Sequence, residues 1–289
     1  MEYEKILFEK QGRLAFITLN EANRMNPIGI RMQREIVQAI EEINNDDEIR
    51  VSIIRGKGKH FSVGYALTDI DPASTVAWQL IEDRKGNMLE DRNRLYTISK
   101  RWMNIWESPK SFICQVQGNC LAGANDIALV CDMVIAAEDS RFGHPGVRGI
   151  GTPISAPWTY LLGSMRAKRL LLTGDTISGK EAAEWGLITM AVPRDKLEAE
   201  VLRMAKRMAA IPNDMRAINK YASNKVIEMM GFRESIISYC ELNAIGHFMP
   251  TVKEFWARVG KDGLREALKW RDRDFEEIEE FSSYQNKSE

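Results

Sequence analysis

Gln117-Gly118-Asn119-Cys120-Leu121-Ala122-Gly123-Ala124-Asn125-Asp126 decides how this 289-residue chain is read. The stretch follows Ser111-Phe112-Ile113-Cys114-Gln115-Val116, an apolar run that predicts a buried strand. It leads into a short predicted helix ending at Ala128-Leu129-Val130. Small residues thus carry the chain from a strand end to a helix N-terminus, where backbone N–H groups lack intrahelical partners and can hold an anion. A second loop of the same kind, His60-Phe61-Ser62-Val63-Gly64-Tyr65-Ala66-Leu67, follows the predicted strand Val51-Ser52-Ile53-Ile54-Arg55-Gly56. One glycine after a strand is only a turn. Two such loops can converge two donors on one oxygen, which is what an oxyanion hole requires.

Working outward, Ile6–Lys10 and Leu14–Leu19 read as two strands around a turn at Gly12. Pro27 opens a helical pattern with Ile28, Met32, Ile36, Ala39, Ile40 and Ile43 at three/four spacing. Met133–Ala136 is a further strand. The β-β-α-β opening and the alternation after it predict an α/β fold. Residues 71–108 interrupt the rhythm: they are charged, hold three tryptophans and carry the stripe Leu95, Ile98, Trp102 and Ile105. They read as a helical insertion that covers a core edge, with the wall or lid of a pocket as the sharper reading. From Leu197 onward the pattern is helical, punctuated by Gly231, Pro250 and Gly260, with a stripe of Ile218, Tyr221, Ala222, Val226 and Met229. The expected division is a core over 1–196 and a helical region over 197–289, the latter an appended subdomain or an oligomer interface.

Composition narrows the function classes. Lys and Arg number 40 against 41 Asp and Glu, a net charge of -1, which argues against nucleic-acid binding by phosphate neutralisation. Four cysteines without a CxxC pair and three scattered histidines give no zinc site and no disulfide framework. No signal segment and no run of about 18 apolar residues is present, so no membrane span is expected and the chain reads as a soluble, cytoplasmic protein. No glycine fingerprint suggests a nicotinamide or flavin, and no ligand cluster suggests a metal.

The two loops and their surroundings resemble the crotonase (enoyl-CoA hydratase/isomerase) superfamily over nearly the whole chain. The resemblance is carried by Leu19-Asn20 with Arg24-Met25-Asn26-Pro27, by Phe61–Tyr65, by Gly118–Ala124, and by Cys131–Ala137 with Arg141-Phe142-Gly143. Ala167–Gly174 and Ala182–Leu187 extend it. It implies a spiral of β-β-α units with a C-terminal helical region used in trimerisation, as a homotrimer or a dimer of trimers. It implies an acyl-CoA thioester as substrate, with coenzyme A the only cofactor and that as part of the substrate. The thioester oxygen would be held by the backbone N–H groups of Tyr65 and Gly123. Arg24 matches a position reaching the nucleotide phosphates. Ser62, Val63, Ala66, Leu67, Gly146, Arg148 and Thr152 are candidate substrate- or CoA-binding positions.

The departures shape the chemistry. Family hydratases use two carboxylates; here the first position is Asp126 and the second falls at Gly146, which has no proton to give. Ala66 replaces an acidic residue common in its loop. His144, two residues before the vacancy, is the candidate partner of Asp126, since imidazole titrates near neutrality. Helix capping is the plain alternative for Asp126. Glu241 and His247 read as a solvated helix face. Three functions follow: enolate-stabilising hydration or isomerisation of an acyl-CoA; ring-opening hydrolysis of a cyclic β-oxo acyl-CoA or β-diketone by a His/Asp pair in the segment from His144 to Thr152; or CoA binding without catalysis.

Overall fold

The computed structural model describes residues 3–67, 87–155 and 157–275; the first part of the insertion expected over 71–108, residues 71–86 with Trp78, and residues 276–289 lie outside them. The chain opens with β1 (Ile6–Gln11) and β2 (Leu14–Leu19), paired antiparallel around Gly12 at φ +57°. Then come α1 (Ile30–Asn44), β3 (Val51–Gly56), α2 (Met88–Glu107), β4 (Ser111–Val116), β5 (Asn119–Leu121) and α3 (Ala124–Ala128). They are followed by β6 (Met133–Ala137), β7 (Arg141–Gly143), α4 (Pro157–Thr173, broken at Gly163), β8 (Thr176–Ser178), α5 (Gly179–Trp185) and β9 (Met190–Val192). The C-terminal helices are α6 (Leu197–Ala210), α7 (Asn213–Met229), α8 (Phe232–His247), α9 (Pro250–Asp262) and α10 (Leu264–Asp272). No helix among the described residues is long and apolar enough to cross a membrane.

One sheet runs β1-β2-β3-β4-β6-β9, parallel after the first pair, and a smaller one runs β5-β7-β8. A parallel sheet is covered on both faces, and its strands are apolar on both. All six β2 residues are buried. Ala15, Ile17 and Leu19 point into the core with α1, while Leu14 and Phe16 point into a second core with Leu197, Val201, Ala205 and Ala209 of α6. Helix α6 therefore packs as part of the sheet's second face, inside the region the sequence reading placed beyond the core boundary at 196. Helix α1 starts at Ile30 rather than at Pro27, because Ile28 is used as strand: its N–H donates to the Gly64 carbonyl and its carbonyl accepts from Ala66 N–H.

Strand ends and short loops gather on one side of this frame. Helix α2 packs against α8, joining the insertion to the C-terminal helices. Helices α9 and α10 form their own cluster around Phe255, Trp256 and Ala267, against which Leu67 and Ile150 pack.

Candidate active site

The two small-residue loops lie against each other. Asn26, in the loop after β2, stands at φ +54°, and its Nδ2 donates to the carbonyls of Lys57, His60 and Phe61 (2.9–3.1 Å). Ser62 Oγ donates to the Asn26 carbonyl at 2.7 Å and accepts from Gly64 N–H. Ser62 N–H donates to the Asn119 carbonyl, and Leu121 N–H donates back to that of Ser62. Asn125 Nδ2 holds the loop over 117–126 by donating to the carbonyls of Cys120 and Gly143. Gly64 sits at φ +100°, and a Cβ there would meet Ala122 Cβ at 2.9 Å and Gly123 N at 3.0 Å. A Cβ on Gly123 would collide with the Tyr65 ring. Both glycines are thus required by close approach. Ala122 between them adopts φ +47°, a left-handed conformation costing a residue with a side chain about 1–2 kcal/mol. Neither the Tyr65 nor the Gly123 amide donates to a backbone carbonyl among the described residues.

Beside these amides lies a cavity of about 710 Å³. Of the expected site residues, Arg24, Val63, Tyr65, Ala66, Leu67, Gly123, Asp126, His144, Gly146 and Thr152 border it. Two do not. Ser62 is fully buried and serves as the tie just described. Arg148 is sequestered: its Nε donates to the Thr173 carbonyl, its guanidinium pairs with Asp175 and Asp272, and it covers the Phe275 ring at 4.1 Å. A long cation that finds two carboxylates and an aromatic face folds inward onto them rather than towards a ligand. Arg24 stays half-exposed at the cavity, 3.8 Å from Glu21.

Asp126 lies in the first turn of α3, yet it does not cap it. Its Oδ2 accepts from Tyr65 Oη at 2.9 Å, and its Oδ1 accepts from Ser155 Oγ. Tyr65 Oη in turn accepts from Trp102 Nε1 of α2 at 2.8 Å. Burial raises the Asp126 pKa to about 7, and the hydrogen bonds from Ser155 and Tyr65 oppose that rise by stabilising the carboxylate. Burial also raises the Tyr65 phenol well above its ordinary range, so it remains a donor. Among the described residues bordering the cavity, Asp126 is the one carboxylate.

His144 is equally buried, but burial lowers its pKa to about 4. The carbonyls of Gly151 and Ala122 favour its charged form without offsetting that loss. Its Nδ1 has no hydrogen-bond partner among the described residues. Asp126 is bonded to Tyr65 and Ser155 rather than to His144. A Cβ at Gly146 would stand 3.4 Å from His144 Nε2, so the imidazole flanks the space a longer side chain at 146 would enter.

Sequence reasoning missed several cavity residues. His247, read as part of a solvated face, is 3% exposed: its Nδ1 lies 2.7 Å from Asp91 Oδ2, and it borders the cavity beside Asn243. Asn243 Oδ1 accepts from Thr152 N–H at 3.0 Å. The spacing of Asn243 and His247, one helical turn apart, was legible; which face of α8 turned inward was not. Glu241 does sit on the outward face, half-exposed beside Arg92. Helix α2 packs on the core and also walls the cavity, through Leu95, Thr97, Ile98 and Arg101.

Known proteins resemble this chain in sequence and fold. The enoyl-CoA hydratase/isomerase family pattern matches residues 9–237. A Mycobacterium tuberculosis protein named as an enoyl-CoA hydratase, EchA13, is 30% identical over 269 residues, covering 85% of this chain and 81% of that protein. An enoyl-CoA hydratase structure from Mycobacterium smegmatis superposes with a TM-score of 0.87 at 31% identity, covering 94% of each chain. An enoyl-CoA hydratase/isomerase structure from Xanthobacter autotrophicus Py2 gives 0.86 at 33% identity, covering 94% of this chain and 99% of that one. With the spiral sheet, the interlocked loops and a match over most of its length, the chain belongs to the enoyl-CoA hydratase/isomerase family and is an acyl-CoA-processing enzyme.

Proposed function

We propose that the enzyme forms a thioester enolate by moving a proton between Asp126 and the carbon next to the thioester carbonyl. The observation that carries this reading is a buried carboxylate with a pKa of about 7, the one carboxylate bordering the cavity among the described residues, beside two backbone amides that donate to no backbone carbonyl there. The thioester oxygen sits between the N–H groups of Tyr65 and Gly123. Charge develops on that oxygen as the proton leaves, and each donor is worth about 3 kcal/mol of barrier. Ionised Asp126 takes the proton. A base with a pKa near the working pH is half ionised and still strong enough to act. Coenzyme A enters as part of the substrate, with Arg24 at the opening for its phosphates.

Moving one proton needs one carboxylate, whereas adding water to an enoyl group asks for two, and Gly146 leaves the second position without one. Ring-opening hydrolysis is less well supported, because His144 Nδ1 has no hydrogen-bond partner among the described residues. We further read the chain as a homotrimer or dimer of trimers assembled through its C-terminal helices; α7 presents Ile218, Tyr221, Val226 and Met229 outward. Sedimentation showing a monomer would remove that reading.

The test is hydrogen exchange at the α carbon of straight-chain acyl- and enoyl-CoA thioesters in D2O, followed by mass spectrometry. Wild type should incorporate deuterium, and Asp126→Asn should lose the exchange while still binding the thioester. Binding without any exchange in wild type would favour a non-catalytic CoA-binding protein.

A further inference from the structure

The wall of the cavity is lopsided in charge. Arg24, Arg34, Arg94, Arg101 and Arg271 border it, against the single carboxylate of Asp126 among the described residues. Arg24 approaches Glu21, and Arg271 grips Asp272. Arg34, Arg94 and Arg101 pair with no carboxylate among the described residues. Asp126 does not serve them, since its two oxygens accept from Tyr65 and Ser155.

Arg101 stands nearest the reacting end. It is half-buried on α2, and its Nη1 donates to Gln33 Oε1 at 2.6 Å, the one hydrogen bond its side chain makes among the described residues. Gln33 is buried on α1, and its Nε2 donates back to the Ile28 carbonyl at 3.4 Å. Ile28 is bridged to Tyr65, whose amide is one of the two proposed donors to the thioester oxygen. Trp102, the next residue on α2, donates from Nε1 to the Tyr65 hydroxyl at 2.8 Å. Arg101 is thus tied to the Tyr65 loop from two sides, through Gln33 on α1 and through Trp102 on its own helix. A guanidinium carries five N–H donors, and Gln33 leaves most of that fork open.

The wall is short of an anion. Burial and the neighbouring Arg34 guanidinium both pull the Arg101 pKa down. Like charges at a half-buried wall repel, and each keeps a desolvation cost that a counter-charge would offset. Arg94 repeats the pattern two turns earlier on the same face of α2, about 10 Å away along the axis. Its Nη1 is buried without a hydrogen-bond partner. Leu95 and Ile98 lie between the two arginines and also border the cavity. The face is therefore apolar in its middle and cationic at both ends, which suits a short carbon chain that ends in a negative group. Coenzyme A carries phosphates, the other anions of such a substrate. They lie a pantetheine arm away from the thioester, whereas Arg101 is fixed beside the loop that holds it.

We propose that Arg101, positioned by Gln33, recognises a carboxylate on the acyl group, so that the substrate is the coenzyme A thioester of a short dicarboxylic acid. The proposal rests on the thioester reading above and specifies the far end of the acyl chain. That carboxylate accepts from the open edge of the Arg101 guanidinium, which matches a planar carboxylate with two parallel hydrogen bonds. It supplies the negative charge the wall lacks and leaves the carbon beside the thioester to Asp126.

The full-length chain is titrated calorimetrically with succinyl-, glutaryl- and adipyl-CoA, with straight-chain acyl-CoAs of the same carbon counts, and with free coenzyme A. Wild type should bind at least one dicarboxylic thioester about tenfold more tightly than its matched monocarboxylic one, as a charge-assisted pair provides. Arg101→Gln should bring that ratio to within about twofold of unity and leave free coenzyme A within about twofold of wild type. Gln33→Glu keeps Arg101 but places a carboxylate of the chain's own against it. It should lower the same ratio by about fivefold or more, and keeps the test decisive if the arginine variant folds poorly. The proposal falls if wild type prefers no dicarboxylic thioester, or if the preference survives in Arg101→Gln or Gln33→Glu. It falls too if Arg101→Gln weakens free coenzyme A as much as the dicarboxylic thioester, which would put the phosphates on this wall. Because the readout is binding, absence of C2 exchange in wild type would overturn the enolate reading alone, and exchange without a dicarboxylic preference would overturn this proposal alone.

Discussion

Asp126 and His144 are buried against one cavity, and burial drives both towards their neutral forms, yet it leaves them with different chemistry. Asp126 rises to about 7 and stops there because Tyr65 and Ser155 donate to its carboxylate. His144 falls to about 4, and no side chain in the described structure bonds to its ring. Desolvation alone therefore does not make an acid/base. A group changes charge near neutral pH when hydrogen bonds to its charged form balance the burial. Asp126 is placed to exchange protons at pH 7. His144 remains a neutral ring there.

The sharpest break of this comparison is Asp126→Asn. It should lower C2–H exchange by about 10²–10⁴-fold, the range for a lost general base, with thioester affinity within a few-fold of wild type. Deuterium incorporation measured alongside a binding titration checks both; wild-type exchange in the variant would end the assignment.

The same substitution should stabilise the fold at high pH. A carboxyl whose folded pKa lies above its ordinary value contributes most stability at low pH and loses it as pH rises through about 7. A rise of roughly three units corresponds to about 4 kcal/mol at pH 8. Asp126→Asn should therefore unfold later than wild type at pH 8 by an amount of that order, and without advantage at pH 4. His144 has the opposite slope: its folded pKa is depressed, so its contribution is present above about 6.5 and lost as pH falls through about 4. His144→Gln should relieve about 3 kcal/mol at pH 4 and nothing at pH 8. Between pH 4 and 6.5 the two slopes nearly cancel in wild type. Denaturant melts of both variants across that range should separate them, one rising with pH and the other falling. Parallel curves would show that the two sites are not pulled apart in this way.

Much of the frame was legible because local pattern and tertiary role agreed. The strands over 51–56 and 111–116 read correctly to the residue, since a parallel strand covered on both faces is continuously apolar. Gly64 and Gly123 were legible as small residues at strand ends. Their reason for being glycine, the contact of one loop with the other, is a tertiary fact. Asp126 was found through the family pattern, but its partners were not: Tyr65 is 61 residues away in sequence, Ser155 is 29, and Trp102 joins through Tyr65. His247 was hidden for a related reason. Polar residues on a helix read as a wet face, and only the packing of α8 on α2 turns that face inward. Arg148 shows the reverse error, a loop cation that looked free and is folded onto Asp175, Asp272 and Phe275.

The finest contrast between the two sites is the Tyr65 hydroxyl, which Asp126 has and His144 lacks. In Tyr65→Phe the backbone amide is kept, so the proposed oxygen site is unchanged, but Asp126 Oδ2 loses a donor that stabilises its ionised form. A hydrogen bond to a charged group is worth about 1.5–3 kcal/mol, so the Asp126 pKa should climb by about one to two units. Base-dependent exchange rises with pH through that pKa. Its acid limb should therefore move from about 7 to above 8, with the high-pH plateau held within a few-fold. Trp102 Nε1 also loses its acceptor, which should cost about 1–3 kcal/mol of stability at every pH. His144→Gln removes no donor to Asp126 and should leave the limb near 7 whatever it does to the plateau. A Tyr65→Phe limb that stays at 7 would mean burial and Ser155 alone set the Asp126 charge, and that the tyrosine is present for its amide and its ring rather than its hydroxyl.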